Sequence, residues 1–201
     1  MRKFLLTFFA LLFMAGCGDD GKQTVGRVKF EPFKTGEEIA LKSVNGKPVT
    51  LIRKEKGFVI KGDEGKVLML DIFGTFCPPC QKEAHEIMQY QLDNIENFMI
   101  IGLTHFENVT DEYVVSDFMQ KYNAFYYITN DQKINDRLAE QIVLDIGYQR
   151  EIALPFKVVL KNGEYQNLTD VDSGAFGVKY YLGGIKMPNM KSDLQKIYEM
   201  K

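Results

Sequence analysis

An apolar run at residues 67 to 73, followed closely by Cys-Pro-Pro-Cys at positions 77 to 80, restricts the fold of this chain most strongly. The run reads Val-Leu-Met-Leu-Asp-Ile-Phe, which is typical of a central strand covered on both faces of a sheet. Residues 81 to 94 have the composition of a helix. The order therefore predicts a buried strand, a turn that carries two thiols, and a helix.

The composition is that of an ordinary globular protein. The chain has 201 residues, of which 45% are hydrophobic and 26% charged, and this length suits one domain. The net charge is -2 and lysines and arginines form no run, so the basic surface that nucleic-acid binding needs is missing. We expect one folded domain and no nucleic-acid partner.

The first residues have the order of an export signal. Arg2 and Lys3 precede an apolar run, residues 4 to 16. A helix that crosses a bilayer needs about 20 apolar residues, and this run is shorter. The run therefore predicts a secretory signal and not a permanent membrane helix.

Cys17 follows Met-Ala-Gly and resembles the cysteine of a bacterial lipobox. The resemblance implies that residues 1 to 16 are a lipoprotein signal peptide and that Cys17 is lipidated. Residues 17 to 36 would then be a tether and residues 37 to 201 the folded domain, bound to a membrane of the bacterial cell envelope and facing the periplasm or the outside. The alternative is a plain signal peptide with an incidental cysteine.

Cys77 and Cys80 are then the remaining thiols. A disulfide between them encloses two residues, so it would add little stability, whereas the spacing suits redox exchange. A helix N-terminus stabilises a thiolate, which makes Cys77 the candidate nucleophile. Pro78 and Pro79 fit the first helical turn, where backbone N–H groups have no intrahelical partner. Cys80 lies on the same face of that turn and is the candidate resolving thiol.

Zinc binding is the alternative use of such a pair. It normally needs a second pair of ligands, and the only histidines, His85 and His105, are twenty positions apart. We therefore expect no metal. Thiolate exchange needs no cofactor either.

Hydrophobic periodicity and turn residues predict the other elements. Asn45-Gly46 indicates a type I′ hairpin turn, and Asn162-Gly163 indicates a second hairpin. The sequence is consistent with an α/β sandwich with a mixed sheet. The predicted strands are residues 39 to 44, 49 to 53, 58 to 61, 98 to 103, 156 to 160 and 165 to 168, with a strand or extended link at 124 to 128, and the predicted helices are 111 to 122, 131 to 147 and 189 to 198.

Residues 70 to 80 resemble the active-site strand and turn of thioredoxins. The Cys-Pro-Pro-Cys form, the export signal and the preceding hairpin resemble the membrane-attached thioredoxin-like reductases of the TlpA, ResA and CcmG group. The resemblance implies a thioredoxin-like fold, with a mixed central sheet flanked by helices and an added N-terminal β-hairpin. Phe73 and Phe76 stand where that group usually has tryptophan, and His85 stands where it often has a helix-kinking proline.

The resemblance also assigns two acidic residues. Asp71 falls on the position of a buried carboxylate that assists deprotonation of the resolving cysteine, and burial should raise its pKa. The alternative, an Asp turned toward solvent, is disfavoured by the apolar neighbours on both sides. Glu83 resembles an acidic residue that tunes the thiols in some members. A glutamate in a first helical turn is equally explained by the helix dipole.

The substrate-binding residues are assigned in the same way. Leu154-Pro155 resembles the cis-proline loop that packs against the cysteines and pairs with the substrate backbone. Phe76, Pro78 and Pro79 complete the expected substrate surface around Cys77.

The resemblance implies a membrane-tethered, extracytoplasmic thiol:disulfide oxidoreductase that reduces disulfides of exported proteins, with apocytochrome c as a candidate substrate. Electrons would come from a membrane reductase of the DsbD or CcdA kind. One alternative keeps the fold and makes the protein a disulfide oxidant or isomerase. Another is a copper chaperone like the SCO proteins, which place three residues between their cysteines where this chain has two.

Overall fold

The N-terminal hairpin is present in the structure, a computed structural model that describes residues 30 to 200. Strand β1, Glu38–Lys42, pairs antiparallel with β2, Pro48–Arg53, and β3, Phe58–Ile60, adds a third strand. The turn differs from the predicted type I′. Gly46 has a φ of +80° whereas Asn45 is not left-handed, because the connection is longer than two residues.

The parallel part of the main sheet follows. Strand β4, Val67–Phe73, is buried along its whole length and leads into helix α1, Pro78–Asp93. Strand β5, Phe98–Thr104, pairs parallel with β4, and β6, Tyr127–Thr129, pairs parallel with β5. The strand, thiol turn and helix predicted from the sequence thus form one βαβ unit.

The helix predicted at residues 111 to 122 has a different form. Its first turn is the short helix α2, Asp111–Tyr113, and the chain continues as a π-helix, Val114–Gln120. After it, the N–H of Ala124 bonds the carbonyl of Met119, five residues back. The spacing of the apolar residues predicts which side chains face the core. A π-helix has a wider turn but keeps much of that spacing, so the pattern does not distinguish it from an α-helix.

The second half of the chain begins with helix α3, Gln132–Asp145, which ends before Gly147 at a φ of +68°. Strand β7, Phe156–Lys161, and β8, Glu164–Tyr165, form the second hairpin. Its central residues, Asn162 and Gly163, have φ values of +54° and +80°, as a type I′ turn requires.

The strand predicted at residues 165 to 168 is interrupted, since Tyr165 ends β8 and Leu168 begins another short strand, and two further short strands were not predicted. Strands β9, Leu168–Thr169, and β10, Phe176–Val178, form a separate pair, and β11, Tyr181–Leu182, pairs with β7. They are too short for an alternating pattern to identify. Helix α4, Met187–Glu199, ends the described chain.

The main sheet has the order β11-β7-β4-β5-β6, with β8 beside β7, and both faces are covered. Side chains of β4 alternate between the faces. Met69 and Phe73 pack with α1, the π-helix and α4, whereas Leu70 and Ile72 pack with α3 and the N-terminal sheet. This is the expected α/β sandwich with a mixed sheet.

The folded region includes residues assigned to the tether. Phe33 is buried, its N–H bonds Oε1 of Gln141 at 2.8 Å, and its ring meets Phe58 edge to face. The guanidinium of Arg137 covers the other side of the ring at 3.7 Å. The segment just before residue 37 therefore packs as part of the domain.

The predicted signal peptide and Cys17 lie outside the described residues. Between residues 30 and 200, no helix is both long and apolar enough to cross a membrane.

Candidate active site

Cys77 and Cys80 form a disulfide at the start of α1, with their Cα atoms 5.3 Å apart. Cys77 is the residue that caps the helix, and Pro78 and Pro79 occupy its first positions. Both cysteines are buried, at 4% and 2% exposure. The positive end of the α1 dipole therefore lies at Cys77 and favours a thiolate there, although Pro78 and Pro79 have no backbone N–H that could donate to the sulfur.

A glutamate that the sequence analysis missed holds the turn before the disulfide. Glu107 accepts a hydrogen bond from the N–H of Thr75 at 2.8 Å and another from its hydroxyl. Nε2 of Gln81 donates to the carbonyl of Thr75 at 2.7 Å. Glu107 lies in the loop after β5, in no recognisable motif, so only the three-dimensional structure identifies it.

On the sheet face that carries the cysteines, between the sheet and α1, lies a buried charged cluster of Asp71, Glu83 and Lys157. Nζ of Lys157 lies 3.1 Å from Oδ1 of Asp71 and also contacts Oε1 of Glu83. Oε2 of Glu83 accepts the N–H of Ile185 at 2.7 Å. Asp71 and Glu83 are 2% and 5% exposed, and Lys157 is fully buried. Glu83 is the sixth residue of α1, so its expected place in the first helical turn is wrong, and its carboxyl belongs to an internal ion cluster.

The cluster changes the ionisation of its members. Burial raises the pKa of Asp71 from 3.8 to about 6, the ammonium of Lys157 opposes the rise, and the charge of Glu83 adds to it. Burial disfavours the charged form of Lys157, but the two carboxylates outweigh it and raise the pKa of the lysine. The pKa of Asp71 therefore lies well above that of an exposed aspartate.

Lys157 was also missed in the sequence. It is the second residue of an otherwise apolar strand, and its Cα is paired with that of Asp71 across the sheet. The sequence did contain one signal for this ion pair, which is a single charged residue inside each of two otherwise apolar strand segments. The sequence could not show that β4 and β7 are neighbours and that both side chains are on one face.

Phe76 directly precedes the disulfide in the chain, whereas Leu154 and Pro155 come directly before β7. The Leu154-Pro155 bond is cis, and Phe76 is 55% exposed. The carbonyl of Pro155 accepts the N–H of Gly183 at 2.9 Å. Gly184, which follows β11, lies next to Pro79: a Cβ added to this glycine would be 3.6 Å from Cβ of Pro79. The segment after β11 therefore contacts both the proline loop and the first turn of α1.

Phe106 was not assigned a role from the sequence. It lies in the loop after β5, next to Glu107, and is 59% exposed at a φ of +60°. This conformation is uncommon for a bulky residue. Because Glu107 binds Thr75, the loop that carries Phe106 is fastened to the turn that carries Phe76.

The histidines take no part in the cluster. His85 is exposed on α1. His105 is buried in the loop after β5, with Nδ1 2.7 Å from the carboxylate of Asp136. In the region from residue 30 to residue 200, no three His, Cys, Asp or Glu side chains are grouped so as to hold a metal ion.

A central mixed sheet flanked by helices, with a disulfide of Cys-x-x-Cys spacing at the first turn of α1, defines a thioredoxin-like fold. No family model matches the sequence, and no curated protein matches it.

Solved structures of low identity show the same fold. One is a thioredoxin-family thiol:disulfide interchange protein from Chlorobium tepidum, with a TM-score of 0.52 and 17% identity, covering 84% of this chain and 98% of that one. Another, assigned provisionally as a thioredoxin from Neisseria meningitidis, has a TM-score of 0.54 and 18% identity, covering 84% and 92%. A third, assigned provisionally as a protein disulfide isomerase from Bacteroides thetaiotaomicron, has a TM-score of 0.52 and 21% identity, covering 85% and 89%.

Proposed function

We propose that this protein is a membrane-tethered, extracytoplasmic thiol:disulfide oxidoreductase that reduces disulfides of exported proteins. The observation that carries the proposal is the Cys77–Cys80 disulfide at the N-terminus of α1, on the sheet face that also holds a buried carboxyl with a raised pKa, Asp71. A redox-active dithiol needs a stabilised thiolate and a nearby proton acceptor. The residues of this site supply both.

The reaction begins from the reduced dithiol. The Cys77 thiolate attacks one sulfur of the substrate disulfide, and the other substrate sulfur leaves as a thiolate. Cys80 then loses its proton and attacks Cys77, so the mixed disulfide breaks and the second substrate thiolate is released. Two electrons pass to the substrate, and the protein is left with the Cys77–Cys80 disulfide.

Asp71 is the proposed proton acceptor for Cys80. Its pKa of about 6 leaves it mostly ionised at neutral pH, yet close enough to neutrality to bind a proton readily. Its strand neighbours Met69 and Phe73 pack in the same core cluster as the two cysteines, which places the carboxyl on their side of the sheet.

The exposed Phe76 and the Leu154-Pro155 loop provide the proposed substrate surface, together with the exposed Pro78 and Pro79 at the start of α1. We propose disulfide-containing exported proteins as the substrates, and apocytochrome c among them. A membrane dithiol donor of the DsbD or CcdA kind would return the protein to its reduced form. These partners follow from the sequence resemblance.

The equilibrium potential of the Cys77/Cys80 pair tests the direction of the reaction. It is measured by titration with reduced and oxidised glutathione and thiol trapping, because the chain has no Trp whose fluorescence could report the redox state. We expect about −250 mV or lower, at the reducing end of the thioredoxin-like range. A potential of about −120 mV would make the protein a disulfide oxidant instead.

Cysteine variants test the division of roles. We expect Cys80→Ser to accumulate a mixed disulfide with a disulfide-containing substrate such as insulin, since the resolving thiol is missing. Cys77→Ser should form none, because the attacking thiolate is gone. Mass spectrometry of the trapped species distinguishes the two variants, and equal trapping by both would contradict the assignment.

Lipidation tests the proposed tether at Cys17. Radiolabelled palmitate should be incorporated into the protein expressed in a bacterial host and should be absent from Cys17→Ala. Cys77→Ala is the matched control, because it removes a cysteine of the domain and should keep the label. Equal labelling of wild type and Cys17→Ala would exclude Cys17 as the modified residue.

A further inference from the structure

Three segments of the chain meet at one end of the main sheet. The turn before the disulfide follows β4, and the Phe106 loop, residues 105 to 110, follows β5, which is parallel to β4. The Leu154-Pro155 loop precedes β7, which is antiparallel to β4, so it lies at the same end. Since the strand order is β7-β4-β5, the Phe106 loop borders the proposed substrate surface on the side away from the proline loop.

The Phe106 loop is held at both of its ends. At its start, the N–H of His105 bonds the carbonyl of Phe73 at 2.8 Å, which continues the pairing of β5 with β4. Near its end, Nδ2 of Asn130 donates to the carbonyl of Val109 at 2.7 Å. The loop is therefore fixed on the sheet, and a fixed side chain loses little conformational entropy when it binds a ligand.

Glu107 fastens the middle of the loop to the turn before the disulfide. Its carboxyl oxygens accept the N–H of Thr75 at 2.8 Å and the hydroxyl of the same residue. The carbonyl of Thr75 accepts Nε2 of Gln81 at 2.7 Å. Because Phe76 follows Thr75 and Phe106 precedes Glu107, these bonds fix the position of one phenylalanine relative to the other.

Phe106 is costly to the fold in its present position. The residue is 59% exposed, and its ring meets that of the buried His105 with the centroids 4.0 Å apart. Its φ of +60° lies in the left-handed region, which a bulky residue rarely adopts and which favours glycine. Residues held in such conformations occur mainly at active sites and ligand-binding sites.

Phe76 exposes a second ring next to the disulfide. The residue is 55% exposed, and its ring lies over Gly74, where an added Cβ would be 2.6 Å from Cε1 of Phe76. Phe76 thus rests on Gly74 as Phe106 rests on His105. Both rings leave apolar surface open to solvent at the end of the sheet where a substrate disulfide reaches Cys77.

We propose that Phe106 is a specificity-determining residue, which binds a large apolar side chain next to the cysteine of a substrate, and that Glu107 is the positioning residue that holds it. The inference deepens the proposed function and rests on it. The preferred substrates are disulfides whose cysteines have aromatic or large aliphatic neighbours. Such neighbours bury apolar surface against the ring, and aromatic ones add a ring contact, whereas a serine does neither.

The test compares the reduction of two peptide disulfides by the full chain. Each is a dimer of a short peptide joined through one central cysteine, which is flanked on both sides by phenylalanine in one peptide and by serine in the other. The protein is reduced with dithiothreitol and freed of it, and chromatography of the released peptide thiol gives the rate constant. Each rate constant is divided by that for dithiothreitol alone, which removes the intrinsic reactivity of the peptide.

We expect wild type to prefer the phenylalanine peptide by about threefold to tenfold. Phe106→Ser should lower this preference to less than about twofold, because the aromatic contact is lost. Phe125→Ser is the matched control, since Phe125 is 53% exposed but precedes β6 and so lies at the other end of the parallel strands. It should keep the wild-type preference.

Variants of Glu107 test its positioning role. Glu107→Ala should lose the preference as Phe106→Ser does. Glu107→Gln should restore it, because the amide oxygen accepts the N–H of Thr75 while the amide nitrogen donates to its hydroxyl. A preference that survives in Glu107→Ala would show that Glu107 does not position Phe106.

Binding without thiol exchange is the second readout. Phe106→Trp introduces the first tryptophan of the chain, so the indole emission reports on this loop alone. The phenylalanine-flanked peptide with serine in place of its cysteine should shift the emission to shorter wavelength, and the serine-flanked one should not. No shift with either peptide would contradict the binding role.

The outcomes separate the two proposals. If Phe106 only covers His105, Phe106→Ser lowers the free energy of unfolding but keeps the wild-type preference, which would overturn the inference. Reduction of both peptides by wild type without a preference would overturn the inference and leave the proposed function standing. A wild type that reduces neither peptide, while Phe106→Trp shows the expected emission shift, would contradict the proposed function and not the binding role of this loop.

Discussion

At the scale of single residues, Asp71 makes the stability of the fold depend on pH. Its pKa is about 6 in the folded protein and 3.8 when unperturbed, so between these values the folded state binds more protons than the unfolded state. The stability therefore falls as the pH rises from about 4 to above 6. We expect Asp71→Asn to be more stable than wild type by about 1 to 3 kcal/mol at pH 8.

The difference in stability between Asp71→Asn and wild type should shrink toward pH 5, where the wild-type carboxyl of Asp71 is already mostly protonated. Chemical denaturation at both pH values measures it. Asp63→Asn is the control, because Asp63 is half exposed and its ion pair among residues 30 to 200 is with Lys66, at 3.2 Å. It should change stability by less than about 0.5 kcal/mol. Equal stability of Asp71→Asn and wild type at pH 8 would show that burial does not penalise this carboxylate.

At the scale of the elements, β5 depends on the lack of a side chain at Gly102. A Cβ there would lie 2.9 Å from Cε1 of Phe73 and 3.2 Å from Cε2 of Tyr126. Since these rings are enclosed in the core, they cannot move aside without further rearrangement. We expect Gly102→Ala to lower the free energy of unfolding by about 1 to 3 kcal/mol in urea denaturation.

Gly65→Ala is the corresponding control at the start of the strand pair. A Cβ on Gly65 would meet nothing within 4 Å, and the residue is exposed. Its stability should stay within about 0.5 kcal/mol of wild type. A Gly102→Ala variant that is as stable as Gly65→Ala would mean that the neighbouring rings have room to give way.

At the scale of the whole molecule, the N-terminal segment contributes to stability. Phe33 is 7% exposed, between Phe58 and the guanidinium of Arg137. We expect Phe33→Ala in the full chain to lower the free energy of unfolding by about 2 to 4 kcal/mol, measured by thermal or chemical denaturation. Phe125→Ala is the comparison, because that ring is 53% exposed and its loss should cost much less. Similar losses for both would place Phe33 outside the cooperative fold.

The sequence predicted the architecture better than the site. Strand β4, the thiol turn and the Asn162-Gly163 hairpin follow from local patterns, and the structure has each of them. Lys157 and Glu107 could not be found, because their roles depend on which strands and loops are neighbours in space. The spacing of apolar residues predicts which face of a helix or strand is buried. The order of the strands in the sheet and the packing of the loops depend on residues that are distant in the sequence.

The position of Lys157 on β7 also limits how this protein can change over time. Only one residue separates it from Pro155, so the proline loop and the internal cluster are fixed to one rigid strand. Inserting or deleting a single residue between them would turn Lys157 toward α3, on the opposite face of the sheet. We expect length variation among descendants of this chain to spare that junction and to accumulate instead in the exposed loop between β9 and β10.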